Sequence, residues 1–179
     1  MIYAGREAMK KRTSYGSGIV SLADLAACGK GTVVEADARI FHPDRVQLGA
    51  GVYVGHFTVI HGYHQGHVRI GDGTFVGQHC LLHGAGGLDI ETRVGIGAGV
   101  RILTSTHEDP GHDHAIIEGA IRFAPVRIGE GSDLGVNAVV LPGVTVGRGV
   151  QVGAGAVVTE DLPDHAVAVG VPARVTRLR

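Results

Sequence analysis

The chain has no tryptophan, only four phenylalanines and only two cysteines among its 179 residues. Without large rings, an interior has to be filled by Val, Ile, Leu and Ala. Cys28 and Cys80 make no disulfide framework, so a stapled secreted mini-domain is excluded and a reducing, cytoplasmic setting is expected. Basic charge is not in excess: 16 Lys and Arg stand against 17 Asp and Glu, a formal net charge of −1. No field therefore favours nucleic acid or an anionic membrane surface as a partner. No apolar run approaches the roughly 20 residues a membrane helix needs, and MIYAGREAMKKR at the start carries no signal-like apolar stretch.

What the chain does have is glycine, 30 residues of it, together with a positive mean hydropathy. That pairing argues against a flexible linker, because linkers and disordered tracts are polar. The reason is a repeat. Leu48, Val54 and Ile60 fall six residues apart, as do Ile70, Val76 and Leu82, and again Ile90, Ile96 and Ile102. Further on, Ile128, Leu134, Val140, Val146, Val152 and Val158 keep the beat unbroken. Four residues after many of these anchors stands a second small or β-branched residue: Val52, Thr58, Thr74, Cys80, Ala138 and Ala156. A helix would want apolar residues at i, i+3, i+4 and i+7, and hairpins would want a period of two. Neither fits.

The irregular steps are equally informative. From 40 to 48 the step is eight, from 60 to 70 ten, from 82 to 90 eight and from 102 to 128 twenty-six. Each follows a third hexad, so the extra residues collect at one corner of a three-sided coil of short parallel strands. The spacing predicts an all-β solenoid of about six coils over residues 28–160, with a long loop at 107–126. A short helical cap is expected over 1–27 and a separate tail over 161–179.

These hexads resemble those of the left-handed β-helix, the hexapeptide-repeat acyltransferase superfamily, over roughly residues 28–175. The stretch APVRIGEGSDLGVNAVVLPGVTVGRGVQVGAGAVVTEDLP, followed by AVGVPARV, is similar to O-acetyltransferases of the maltose/galactoside type. The left hand of the coil, a homotrimer with sites in the grooves between subunits, and acetyl-CoA as cosubstrate are what this resemblance implies; no metal is expected. It also implies that Gly135, Val136, Ala154 and Thr159 hold the cofactor arm, with the Val136 N–H facing the thioester oxygen. Arg174 and Arg177 would meet the CoA phosphates, which suits guanidinium geometry. Two departures stand out: Asp133 replaces the family's Trp, and Glu160 stands where a Lys is common. The family's Asn-x-Asn pair and following Asp for the sugar align with Gly77, His79 and Gly84. The maltose or galactoside acceptor is therefore not carried over. His79 and His83 are taken as candidates for substrate binding, and an acceptor related to polysaccharide or nucleotide-linked sugars is expected.

Against this monotony ILTSTHEDPGHDHA, residues 102–115, is the one loud break. Long insertions in compact solenoids tend to be functional. Acetyl transfer to a hydroxyl needs a base to take the proton as the oxygen attacks, and imidazole suits that near neutral pH. The family's catalytic Thr-His aligns with Thr106-His107, so the resemblance makes His107 the base. Glu108, or a backbone carbonyl, would orient its ring, and His112 and His114 belong to the loop body. An N-acetyltransferase acting on an amino sugar remains open.

A rival reading also starts from histidine. In the γ-class carbonic anhydrases, which share this fold, three histidines bind zinc, and their motif resembles Ile60-His61-Gly62, Val76-Gly77-Gln78 and Leu82-His83-Gly84. The middle ligand position holds Gln78, a poor zinc ligand, and His79, one residue later on a strand, would face the other side. A purely structural scaffold is a third reading, distinguished by its failure to bind acetyl-CoA.

Overall fold

The inward positions of successive hexads stack directly on one another in a computed structural model, which describes residues 13–179. The molecule is an all-β, left-handed parallel β-helix. Its first face is built from Ala27–Cys28, Val46–Leu48, Val68–Ile70, Leu88–Ile90, Val126–Ile128 and Thr145–Val146. The second face begins with Val33–Val34 and runs through Tyr53–Val54, Phe75–Val76, Gly95–Ile96, Asp133–Leu134 and Gln151–Val152 to Ala166–Val169. The third holds Arg39–Phe41, Val59–His61, Leu81–His83, Arg101–Ile102, Val139–Val140 and Val157–Val158. All coil-to-coil pairing on these faces is parallel and in step, as in Ile96↔Val76 and Ile96↔Leu134.

The anchors Val54, Ile60, Val76, Leu82, Ile96, Ile102, Ile128, Leu134 and Val140 are completely buried. At about 1.5–3 kcal/mol for each buried aliphatic side chain, this column offsets the conformational entropy of a glycine-rich chain. The second inward positions are buried as well, and where they carry a hydroxyl it is used between coils. Thr58 Oγ1 donates to the carbonyl of Gly77 at 2.8 Å and accepts from the Cys80 N–H at 3.1 Å. Ser132 Oγ does the same with Gly147 and Val150, at 2.8 and 3.0 Å.

All the extra residues leave at the third corner, between the third and first faces, as the step lengths require. The coil also continues past residue 160, where the six-residue beat breaks. Leu162 bridges to Val146, and Ala166–Val169 pairs with Gln151–Val152, so six complete coils are followed by two faces of a seventh. The step from Val158 to the buried Leu162 is four residues rather than six, after which Ala168 restores it. Arg174–Leu178 then runs back antiparallel to Ala166–Val169.

Of the helical cap expected over 1–27, residues 1–12 lie outside the described residues. Leu22–Asp24 is a single 3-10 turn, with Ser21 and Asp24 forming a reciprocal capping box. The segment before it lies against the first coil, tied by the Ile40 N–H donating to the Gly18 carbonyl at 2.8 Å. No helix among the described residues is long and apolar enough to cross a membrane.

Candidate functional site

The twenty-six-residue step is built as an arm rather than a loose loop. Thr104 is fully buried and fixes its point of departure. Its hydroxyl donates to the His83 carbonyl at 2.7 Å and accepts from the Gly86 N–H at 2.9 Å. Ser105–His107 then pairs antiparallel with Ile121–Phe123, setting His107 opposite Ile121. The Ala124 N–H donating to the Thr104 carbonyl at 3.0 Å closes the base of this ribbon.

His107 is exposed on the arm, with Nδ1 3.1 Å from the carbonyl oxygen of Gly119. A carbonyl can only accept, so this contact places the ring proton on Nδ1 and leaves the lone pair of Nε2 free. The side chain of Glu108 makes no hydrogen bond to the ring among the described residues; its N–H donates to the Ala120 carbonyl at 2.8 Å. Gly119 is obligatory here, since a Cβ on it would lie 2.0 Å from the Glu108 carbonyl oxygen. Farther out, His114 Nδ1 is 3.6 Å from Glu118 Oε2, and His112 is exposed.

A second group of predicted residues meets at the second corner, between the second and third faces. Gly135 and Ala154 are neighbours in adjacent coils: a Cβ on Gly135 would come within 2.5 Å of the Ala154 nitrogen. Neither the Val136 N–H nor the Ala154 N–H has a hydrogen-bond partner among the described residues. The corresponding N–H groups of the first corner are treated differently. Those of Ala50, Glu130 and Arg148 donate to the carboxylates of Asp72, Glu91 and Asp164 at 2.7–2.9 Å. The difference lies in the sequence, because the second corner has Gln78, Ala98, Val136 and Ala154 at the equivalent places and no acid. It thus presents a ladder of unused main-chain donors beside close-packed glycine.

Thr159 is exposed just beyond the third face. On the returning strand Arg174 lies 3.7 Å from Glu160 Oε1 and Arg177 is exposed, so the departure at Glu160 now has a neighbour. The two substrate candidates part company. His79 sits at the second corner, stacked on Phe57 with ring centroids 5.0 Å apart. His83 ends the third face, with Nδ1 3.3 Å from Thr104 Oγ1, directly below the root of the arm. Burial lowers its pKa.

His61 and His83 are register partners with ring centroids 6.3 Å apart, as the zinc reading requires. Gln78, however, is exposed at the second corner, away from both. Among the described residues no three or more His, Cys, Asp or Glu side chains are arranged to hold a metal. The sequence offered no signal for Gly119 or Thr104, whose roles come from contacts across the arm and between coils.

Two stretches, 67–104 and 125–160, match the family model for the hexapeptide repeat of succinyl-transferase. Over 74 residues the chain is 46% identical to a provisionally named acetyltransferase of Staphylococcus aureus (strain COL), covering 41% of this chain and 36% of that protein. Over 76 residues it is 38% identical to the galactoside O-acetyltransferase of Escherichia coli, covering 42% of this chain and 37% of the enzyme. The matched part thus spans little more than a third of these relatives' own length. Among solved structures, the N-acyltransferase AntD of Bacillus cereus, crystallised with dTDP and coenzyme A, superposes with a TM-score of 0.77. That superposition covers 87% of this chain and 85% of AntD, and at 22% identity the likeness is one of fold. The chain thus matches the hexapeptide repeat over these two stretches, and its coil has the fold of these solved neighbours.

Proposed function

We propose that the chain is an acetyl-CoA-dependent acyltransferase that moves an acetyl group directly to a hydroxyl of a sugar-like acceptor, with His107 as general base. The observation that carries the reading is the Gly119 carbonyl on His107 Nδ1, which leaves Nε2 as an acceptor at an exposed, well-anchored position. Nε2 takes the hydroxyl proton as the acceptor oxygen forms its bond to the thioester carbon. The C–S bond then breaks, and the imidazolium returns the proton to the departing thiolate, so no acyl-enzyme is needed. The unpaired Val136 N–H faces the oxygen that gains negative charge. The Ala154 N–H, Gly135 and Thr159 line the pantetheine, and Arg174 and Arg177 meet the phosphates.

In one chain His107 leaves the third corner while Val136 lies at the second, so the reading needs a second copy to complete the site. A homotrimer with sites in its grooves satisfies this. Galactoside O-acetyltransferase among the relatives supports a hydroxyl acceptor; AntD among the structural neighbours supports an amine. Mild alkali separates the two, because an O-acetyl ester is cleaved under conditions that spare an amide. His107→Ala is expected to lower acetyl transfer by about 10²–10⁴-fold with CoA affinity nearly unchanged. An unaltered rate removes His107 from the mechanism.

A further inference from the structure

The third corner holds something the acetyl-transfer reading does not use. In a chain with four Tyr, four Phe and no Trp, the rings of Tyr15, Phe41, His42, His61, Tyr63 and His83 gather there. His61 is the hub: its centroid lies 4.8 Å from Tyr63, 5.0 Å from Tyr15, 5.2 Å from His42 and 5.5 Å from Phe41. Tyr63 continues the cluster to His83 at 5.4 Å, and thus to the root of the arm.

Two features set this cluster apart from ordinary packing. His61 is 9% exposed, and its Nε2 is buried with no hydrogen-bond partner among the described residues, as is Nδ1 of His42. Each such group carries a desolvation cost of about 1–3 kcal/mol until a partner reaches it. The cover is also light. Tyr15, 60% exposed, lies over His61 from a segment without regular structure.

The chemistry of the lining limits the ligand. Burial, with His42, His83 and His64 nearby, pulls the His61 pKa down to about 4, so the hub is uncharged at neutral pH. Arg45, three residues after His42, has its Nε 3.4 Å from the Asp44 carboxylate, which offsets its charge. Among the described residues the cluster presents no free cation for a diphosphate. It offers flat apolar rings edged by phenols and by the imidazoles of His61 and His83, each neutral ring having one donor and one acceptor. Those are the groups that match a pyranose, whose C–H face lies on a ring while its hydroxyls take the nitrogens.

We infer that this ring cluster is the outer part of the acceptor site and takes an uncharged sugar residue, so that the acceptor is a glycoside or short glycan rather than a nucleotide-linked sugar. His61 belongs to the second coil and the arm leaves from the fourth. At 4.7–4.9 Å per coil the separation along the axis is about 10 Å, a span that a disaccharide covers. The sugar inserts between Tyr15 and His61, keeps the Tyr15 ring on its outer face and supplies partners to the two orphaned nitrogens.

The role of the cluster rests on the acetyl-transfer reading, but its binding is measured without the reaction. The probes are lactose, maltose and N,N′-diacetylchitobiose, with UDP-glucose and dTDP-glucose as the charged arm, followed by saturation-transfer NMR on the full chain without acetyl-CoA. At least one neutral disaccharide is expected to receive saturation. Its affinity should fall at least about tenfold in Tyr63→Ala and in the more exposed Tyr15→Ala, with circular dichroism unchanged. The inference is overturned if only the nucleotide sugars bind, if no probe binds, or if a folded Tyr15→Ala protein holds the disaccharide as tightly as the parent. CoA affinity and the His107→Ala rate are read on the same preparations. Sugar binding without CoA binding sinks the transferase and leaves the subsite, whereas transfer to a nucleotide sugar that ignores Tyr63 does the reverse.

Discussion

Replacing Gly119 with alanine tests the proposed catalytic geometry at its narrowest point. The new Cβ would stand 2.0 Å from the Glu108 carbonyl oxygen and 3.1 Å from that of Ile116. Both neighbours are main chain, and real Cβ contacts do not fall below 3.0 Å, so the arm itself has to open by about 1 Å. The strand that gives way is the one carrying His107, and the carbonyl that moves is the one 3.1 Å from Nδ1. Losing that hydrogen bond costs about 0.5–1.5 kcal/mol. The larger consequence is positional, since a misplacement of about 1 Å is worth up to 10²-fold in rate. A fall in kcat/KM of about 10–100-fold is therefore expected, read by thiol release from acetyl-CoA. The coil core does not touch the arm's outer end, so the thermal midpoint should move by no more than about 2–4 °C. Imidazole ¹⁵N shifts give an independent readout: the parent should show Nδ1–H, and the variant a mixture of tautomers. Glu108→Ala, whose side chain does not bond to the ring, should cost less than Gly119→Ala. The reverse order returns the orienting role to the carboxylate, and full activity in Gly119→Ala refutes the reasoning outright.

Two further outcomes follow from the coil. His61 titrates near 4 in the folded chain against about 6.5 unfolded, so the unfolded state takes up a proton first as the pH falls. Stability should therefore drop between about pH 6.5 and 4, by up to about 3 kcal/mol, and His83, shifted in the same direction, adds to the slope. Urea midpoints across that window should flatten in His61→Phe, and an unchanged slope would remove His61 as the cause. Ile96→Ala, fully buried between coils, should cost about 2–5 kcal/mol in urea unfolding, and a loss under 1 kcal/mol would mean that the column relaxes around the gap.

The coil was legible because each hexad meets the same surroundings. Ile96 sees Val76 below and Leu134 above, so one anchor predicts the next. The corner that accepts insertions could likewise be read from step lengths alone. Other features depend on contacts that have no period. Thr106 and Arg122 face each other across a ribbon whose intervening residues carry no repeat. The seventh coil was hidden because a four-residue step and small Ala side chains replace the usual six and Val or Ile. Nothing local in Gly119 announces that its carbonyl meets His107. His79 and His83, four positions apart in sequence, separate onto two corners because the chain turns between them. The ring cluster was out of reach for the opposite reason: Tyr15 and His83 are distant in sequence and are joined only through His61 at the third corner.

A stack of parallel coils is by construction a template for more of itself, and its last coil would pair with any strand of the right length. Here that templating is quenched on all three sides. Leu162 occupies the end of the first sheet, the reversed strand Arg174–Leu178 that of the second, and the Val157 N–H and carbonyl at the end of the third are taken by Gly170 and Ala173. A strand running the wrong way and edged with arginines offers poor register to an incoming coil. A second solenoid therefore finds no open strand edge on this last coil, which works against end-to-end growth into a fibre.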